Sequence, residues 1–156
     1  MKISRIIING IIIFIGIALF FLLMEILNLT DHVYLRLFNF VFVLYGVNLT
    51  IKQNYKDHIN GYLTNLSSAF LTAFVSLVIG IFSFIAYANY KGGEVYIDEH
   101  AKGYIFGGDP SIPQFAMGLL LEGMAASVIV SFTLMQIWKN KIERIDTVDD
   151  LAHNEH

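Results

Sequence analysis

The chain has 156 residues, of which 56% are hydrophobic and 15% charged, with a net charge of −3 and no cysteine. A mean hydropathy of +0.61 exceeds what a soluble domain carries, since such domains are only about 45–50% apolar, and the chain reads as an integral membrane protein. The missing cysteine excludes disulfides, thiolate nucleophiles and cysteine-held zinc or iron–sulfur centres, and the acidic balance argues against nucleic acid as a partner.

Residues 6–29 are apolar apart from Asn9, Gly10, Gly16, Glu25 and Asn28. That run exceeds the roughly 7–15 residues of a signal-peptide core and no Ala-x-Ala-like site follows it, so it reads as a first span. A turn at Thr30, Asp31 and His32 leads to a shorter second span over 35–51, broken by Asn39, Gly46 and Asn48, and the two make a helical hairpin. Residues 52–65 form a hydrophilic connector in which Asn60-Gly61 signals a turn. A third span covers 68–90. The longest connector, 91–113, carries Gly92-Gly93, Gly107-Gly108 and Asp109-Pro110 around a middle suited to a short strand or an interfacial helix. A fourth span covers 114–138, and 139–156 is a polar tail that ends acidic. Four spans on short connectors make one folding unit, an all-α integral membrane four-helix bundle.

Lysine and arginine set the expected orientation. Lys2, Arg5, Lys52, Lys56, Lys139, Lys141 and Arg144 fall on the side of the termini, against Arg36, Lys91 and Lys102 on the other. Seven against three places both termini, and the tail with them, in the cytoplasm. Trp138 and Tyr55 fit the inner aromatic belt, and Tyr34, Tyr87 and Tyr90 the outer one.

Helices in lipid associate through close backbone approach and interhelical hydrogen bonds. Ser68, Thr72, Ser76 and Gly80 recur every four residues on the third span and predict a packing seam. On the fourth, Gly123, Ser127 and Ser131 form a second small stripe, with Gly118, Glu122 and Ala126 on the adjoining row. Glu122 lies eight residues beyond Gln114, roughly 12 Å along a helix and close to mid-bilayer, where a bare carboxylate is costly. It is expected to point into the bundle or a partner. Three roles are open to it: a protonated packing element bonded to Asn39, Tyr45 or Ser76, a docking group for a partner subunit, or a titrating site in transport. Glu25, near the outer end of the first span, is placed to pair across the hairpin with Arg36.

No catalytic or metal-binding set stands out. The histidines are scattered over both sides and none forms a His-x-x-x-His or His-Glu-x-x-His pair on a span. Glu94, Asp98, Glu99, His100 and Asp109 lack the alternating spacing of a calcium loop and read as a solvated acidic stretch. In the tail, Ile142, Ile145, Val148 and Leu151 recur every three residues between acids, which suits docking on a cytosolic or juxtamembrane partner; a disordered tail is the alternative.

Tyr45-Gly46, then Tyr55-Lys56-Asp57 and Asn60-Gly61-Tyr62 ahead of a small-residue third span, form a layout that resembles the domain-of-unknown-function 4199 family, integral membrane proteins of Bacteroidota. The resemblance implies four helices in a bacterial inner (cytoplasmic) membrane, with no established activity and no catalytic residues. The expected function is a small non-enzymatic membrane subunit or scaffold without cofactor or metal. It would sit among lipids and bind other membrane proteins, or itself as a homo-oligomer, through its small-residue helix faces. The alternative is a small proton- or cation-coupled transporter centred on Glu122.

Overall fold

A computed structural model describes residues 2–30, 32–100 and 110–153, excepting the side chains of Val33, Glu99, His100 and 143–153. The helices are α1 (Ile3–Ile26), α2 (Asn39–Lys56), α3 (Tyr62–Lys91), α4 (Glu94–His100) and α5 (Ile112–His153), and a 3-10 helix, Val33–Phe38, leads into α2. Among the described residues there is no strand. Among the described residues four segments are long and apolar enough to cross a membrane: Ile3–Ile26, Tyr34–Lys56, Tyr62–Lys91 and Ile112–Ile142. The architecture is therefore an all-helical bundle of a multi-pass membrane protein.

The helices stop where the backbone turns left-handed. After α1, Asn28 takes φ 54°, its N–H reaches the Glu25 carbonyl, and Leu29 N–H reaches the Met24 carbonyl at 2.8 Å. These are the two bonds of a Schellman cap, with asparagine in the position glycine usually fills. His58, at φ 53°, closes α2 in the same way: its N–H reaches the Tyr55 carbonyl and the Ile59 N–H reaches the Asn54 carbonyl. The first span thus ends at Ile26 rather than 29. The third helix begins at Tyr62, directly after the expected turn at Asn60-Gly61, and so precedes the apolar stretch from 68. The connector after α3 supplies the short helix α4, and α5 continues as helix to His153 where a disordered tail had been an alternative.

α1 and α2 run antiparallel in a regular register. From one end inward, Lys2 meets Asp57, Arg5 meets Asn54, Asn9 meets Thr50 and Ile13 meets Gly46. Each step is three or four residues on both helices, the spacing of one helical face. α3 lies parallel to α1 and antiparallel to α2 and α5, and it packs on all three; α1 and α5 sit on opposite sides of the α2–α3 pair. The main core joins Ile13, Val47, Ile51, Ala69, Ala73, Val130, Leu134, Met135 and Ile142. A second cluster, Ala88, Tyr96, Ile97 and Phe115, seats α4 against α3 and α5 at the other end.

The expected seams are present and are used inside the bundle. Ser68, Thr72 and Ser76 are buried, whereas Gly80 is only half-buried. On α5, Gly118, Ser127 and Ser131 are buried, and a side chain at Gly123 would meet Leu77 of α3 at 2.2 Å, so this glycine sets how closely α3 and α5 approach.

Candidate functional site

Three polar features lie within or beside the spans. The first is a network at the end where α1 begins. The Arg5 guanidinium donates to Asn54 Oδ1 at 2.8 Å and to Asp57 Oδ2 at 2.5 Å, and Lys2 reaches the same carboxylate oxygen at 2.6 Å. The Lys2 ammonium, with Arg5 beside it, holds the Asp57 carboxyl down at about 2. One turn further in, Asn9 Nδ2 donates to Thr50 Oγ1 at 2.8 Å and Gln53 Oε1 at 3.0 Å. Thr50 then meets Thr72 Oγ1 at 3.0 Å, and Thr72 donates to the Ser68 carbonyl at 2.8 Å. Each hydroxyl has one proton and a carbonyl on its own helix within reach, Gly46 at 3.3 Å for Thr50 and Ser68 for Thr72, so either one can donate across the α2–α3 contact. The chain of bonds ties α1, α2 and α3 together through groups that are 0–1% exposed. Two atoms beside it, Asn54 Nδ2 and Asn65 Oδ1, are buried without a partner.

None of this network was expected beyond the general packing role of Ser68 and Thr72. A signal for it exists: Arg5 and Asn9 lie four apart, and Thr50, Gln53, Asn54 and Asp57 repeat at three, four and seven, so each set lines one face of an antiparallel hairpin.

The second feature surrounds Glu25. The expected ion pair with Arg36 does not form; among the described residues the Arg36 side chain, held in the 3-10 helix, has no hydrogen-bond or ion-pair partner. Glu25 instead accepts from the Tyr87 hydroxyl, from the Tyr96 hydroxyl at 3.3 Å, and pairs with Lys91 Nζ at 3.4 Å. The correction follows from the fold: α1 and α3 run parallel, so their last turns arrive together, and α3 continues to Lys91. Phe21 meets Tyr87 edge-on at 6.1 Å and Phe84 at 6.2 Å, and Tyr87 meets Tyr96 edge-on at 5.9 Å. Burial, reinforced by the nearby Glu25 charge, pushes the Tyr96 phenol well above its ordinary range.

The third is Glu122, which is exposed on the outer face of α5 and does not point into the bundle. Among the described residues it has no hydrogen bond or ion pair, and the bonds considered for it are absent: Tyr45 faces outward on α2, 63% exposed, Asn39 Oδ1 is buried without a partner, and Ser76 lies inside the α3 seam. The cause is helical phase. Gly123, Ser127, Val130 and Leu134 face α3 and the core, which turns Glu122 away with Ala125, Ile129, Thr133 and Gln136, all exposed. Beside this face Leu66, Phe70 and Leu71 of α3 and Val128, Ser131 and Phe132 of α5 border a groove of about 370 Å³.

Among the described residues no group of His, Asp or Glu is arranged to hold a metal ion. Glu94, Asp98, Glu99 and His100 belong to α4, and Asp109 lies outside the described residues. Comparison with protein-family models, with curated proteins and with solved structures found no match.

Proposed function

We propose that the protein is a small, non-enzymatic membrane subunit or scaffold whose docking surface is the outer face of α5 around Glu122. The supporting observation is a contrast between two exposed faces. Between residues 7 and 26, every exposed side chain of α1 is Ile or Leu, as a surface against lipid tails requires. The exposed face of α5 also carries large apolar residues, Leu121, Ile129 and Ile137 among them, but it interrupts them with Glu122, Thr133 and Gln136 and the small Ala125. An ionisable side chain at the centre of a span costs about 2.5–3.5 kcal/mol on insertion scales. Polar and small residues are what helix–helix contacts in membranes use. A partner helix, from another membrane protein or a second copy, removes that cost by covering the acid. The small-residue seams offer no such surface, being covered within the bundle, so the docking face is the acid's own stripe.

The chain lacks cysteine, which makes cysteine cross-linking in native membranes a clean test. Ala125→Cys and Ile129→Cys carrying a thiol-attached benzophenone should give photo-cross-links, to a second copy or to another membrane protein, that Ile8→Cys and Ile12→Cys on α1 do not, and Glu122→Ala should lower their yield. Equal yields from the two helices, or none from α5, refute the docking face. Intact cross-linking together with loss of pH-driven uptake by Glu122→Gln in liposomes would move the reading to a proton- or cation-coupled transporter.

The proposal places both termini in the cytoplasm of a bacterial inner membrane, supported by the lysine and arginine asymmetry and by the resemblance to the domain-of-unknown-function 4199 family. A reporter fused after Lys102 should then be exported; cytoplasmic activity there overturns the orientation.

A further inference from the structure

We infer that the Glu25 end of the bundle is a binding site for organic ammonium ions, which the chain keeps occupied with its own Lys91. The inference is independent of the α5 docking face. A carboxylate beside aromatic ring faces is the arrangement that recognises alkylammonium groups, because the anion supplies charge and the ring quadrupole accepts the polarised N–H and C–H surface. Both parts are present. The Lys91 ammonium lies 3.4 Å from Glu25 Oε1 and 5.4 Å from the centroid of the Tyr87 ring. The Tyr87 and Tyr96 hydroxyls donate to the two Glu25 oxygens and fix the carboxylate, while Phe21 braces Tyr87 from its edge.

Lys91 behaves as a tethered ligand rather than as a buried tie. Its side chain is 41% exposed, so the ammonium fills the mouth of the site and not its floor. Lys91 and Tyr96 flank Gly92-Gly93, which take φ 126° and 69°, values that L side chains rarely adopt. No atom stands within 4 Å of where a Cβ would lie at either glycine, so the turn is uncrowded. The two groups beside Glu25, Lys91 at the end of α3 and Tyr96 on α4, are therefore joined through a Gly-Gly turn.

A tethered lysine competes at an effective concentration in the millimolar range, so removing it should unmask the site. The test uses the full chain in nanodiscs, with n-butylammonium and tetramethylammonium as probes followed by ligand-observed NMR. Lys91→Ala should bind n-butylammonium at least about tenfold more tightly than the wild type. Adding Glu25→Gln in that background should abolish the gain. Equal affinity in wild type and Lys91→Ala, or a gain that survives Glu25→Gln, overturns the inference. If Lys91→Ala fails to fold, Lys91→Gln supports the same comparison, and the absence of Glu25-dependent binding there is equally decisive against it.

Discussion

Replacing Gly46 by alanine should break the α1–α2 contact at a place where the cost can be traced to atoms. A Cβ at Gly46 would lie 2.2 Å from Ile13 Cγ1, 2.7 Å from Ile13 Cδ1 and 3.3 Å from the Asn9 carbonyl oxygen. Ile13 is 1% exposed and packed in the main core, and Asn9, one turn away, is bonded to both Thr50 and Gln53, which keeps α1 from sliding clear. Overpacking of this kind costs about 1–3 kcal/mol. Ile13→Ala removes the two atoms in conflict but leaves a cavity, at a cost of about 2–5 kcal/mol. In the double variant the new methyl enters the space that Ile13 vacated, so the combined loss should fall short of the sum of the single losses by about 1–2 kcal/mol. Reversible unfolding in mixed micelles with increasing dodecyl sulfate measures all four corners of this cycle. Additivity to within about 0.5 kcal/mol would refute the register of the hairpin.

Thr50→Val keeps the shape of a buried side chain while removing the bonds to Asn9 and Thr72, and should destabilise the bundle by about 0.6–1.7 kcal/mol in the same assay. The smallness of that loss is part of the expectation, because Asn9 retains Gln53 and Thr72 retains the Ser68 carbonyl. Asp57 has a folded value of about 2 against an ordinary 3.8, so its stabilising pairing is complete above the ordinary value and is lost as pH falls through the folded one. Carboxyl carbon NMR should find Asp57 titrating near 2, and Lys2→Gln with Arg5→Gln should return it toward 3.8. Trp138→Phe keeps a ring against Tyr55, 5.6 Å away, but loses the indole donor to Asn48 at 2.8 Å, and should cost about 1 kcal/mol. An unchanged stability would mean that Asn48 finds another donor.

The spans were legible because apolar length is a property of each segment alone. The seam on α3 was legible for a related reason: Ser68, Thr72 and Ser76 share a face whatever they pack against. Glu25 was recognised as a residue in need of a partner, yet Arg36, its neighbour across a short turn, was the wrong choice. Choosing Lys91 required knowing that α1 and α3 lie side by side and that α3 runs to residue 91. Glu122 shows the complementary difficulty. Its row adjoins the small stripe on a helical wheel, and a rotation of a few tens of degrees about the axis decides between the bundle interior and the outer face. At the observed rotation Gly123 faces the Leu77 side chain of α3, a contact between residues far apart in the sequence. The hydrogen-bonded ladder from Arg5 to Thr72 was written in helical spacing on two segments, but becomes visible only once their register is known.

α5 runs without interruption for 42 residues from Ile112 to His153. At about 1.5 Å per residue that is roughly 63 Å, twice the thickness of a hydrocarbon core. The stripe bearing Glu122 and the far end of the helix are thus cut on a single shaft. Their relative angle is set by residue count alone. Inserting one residue beyond Ile142 would turn everything distal by about 100° while lengthening the helix by only about 1.5 Å. A partner gripping the far end would be indexed to a helix covering Glu122, and a twist applied at one would be delivered to the other with no joint between them to absorb it.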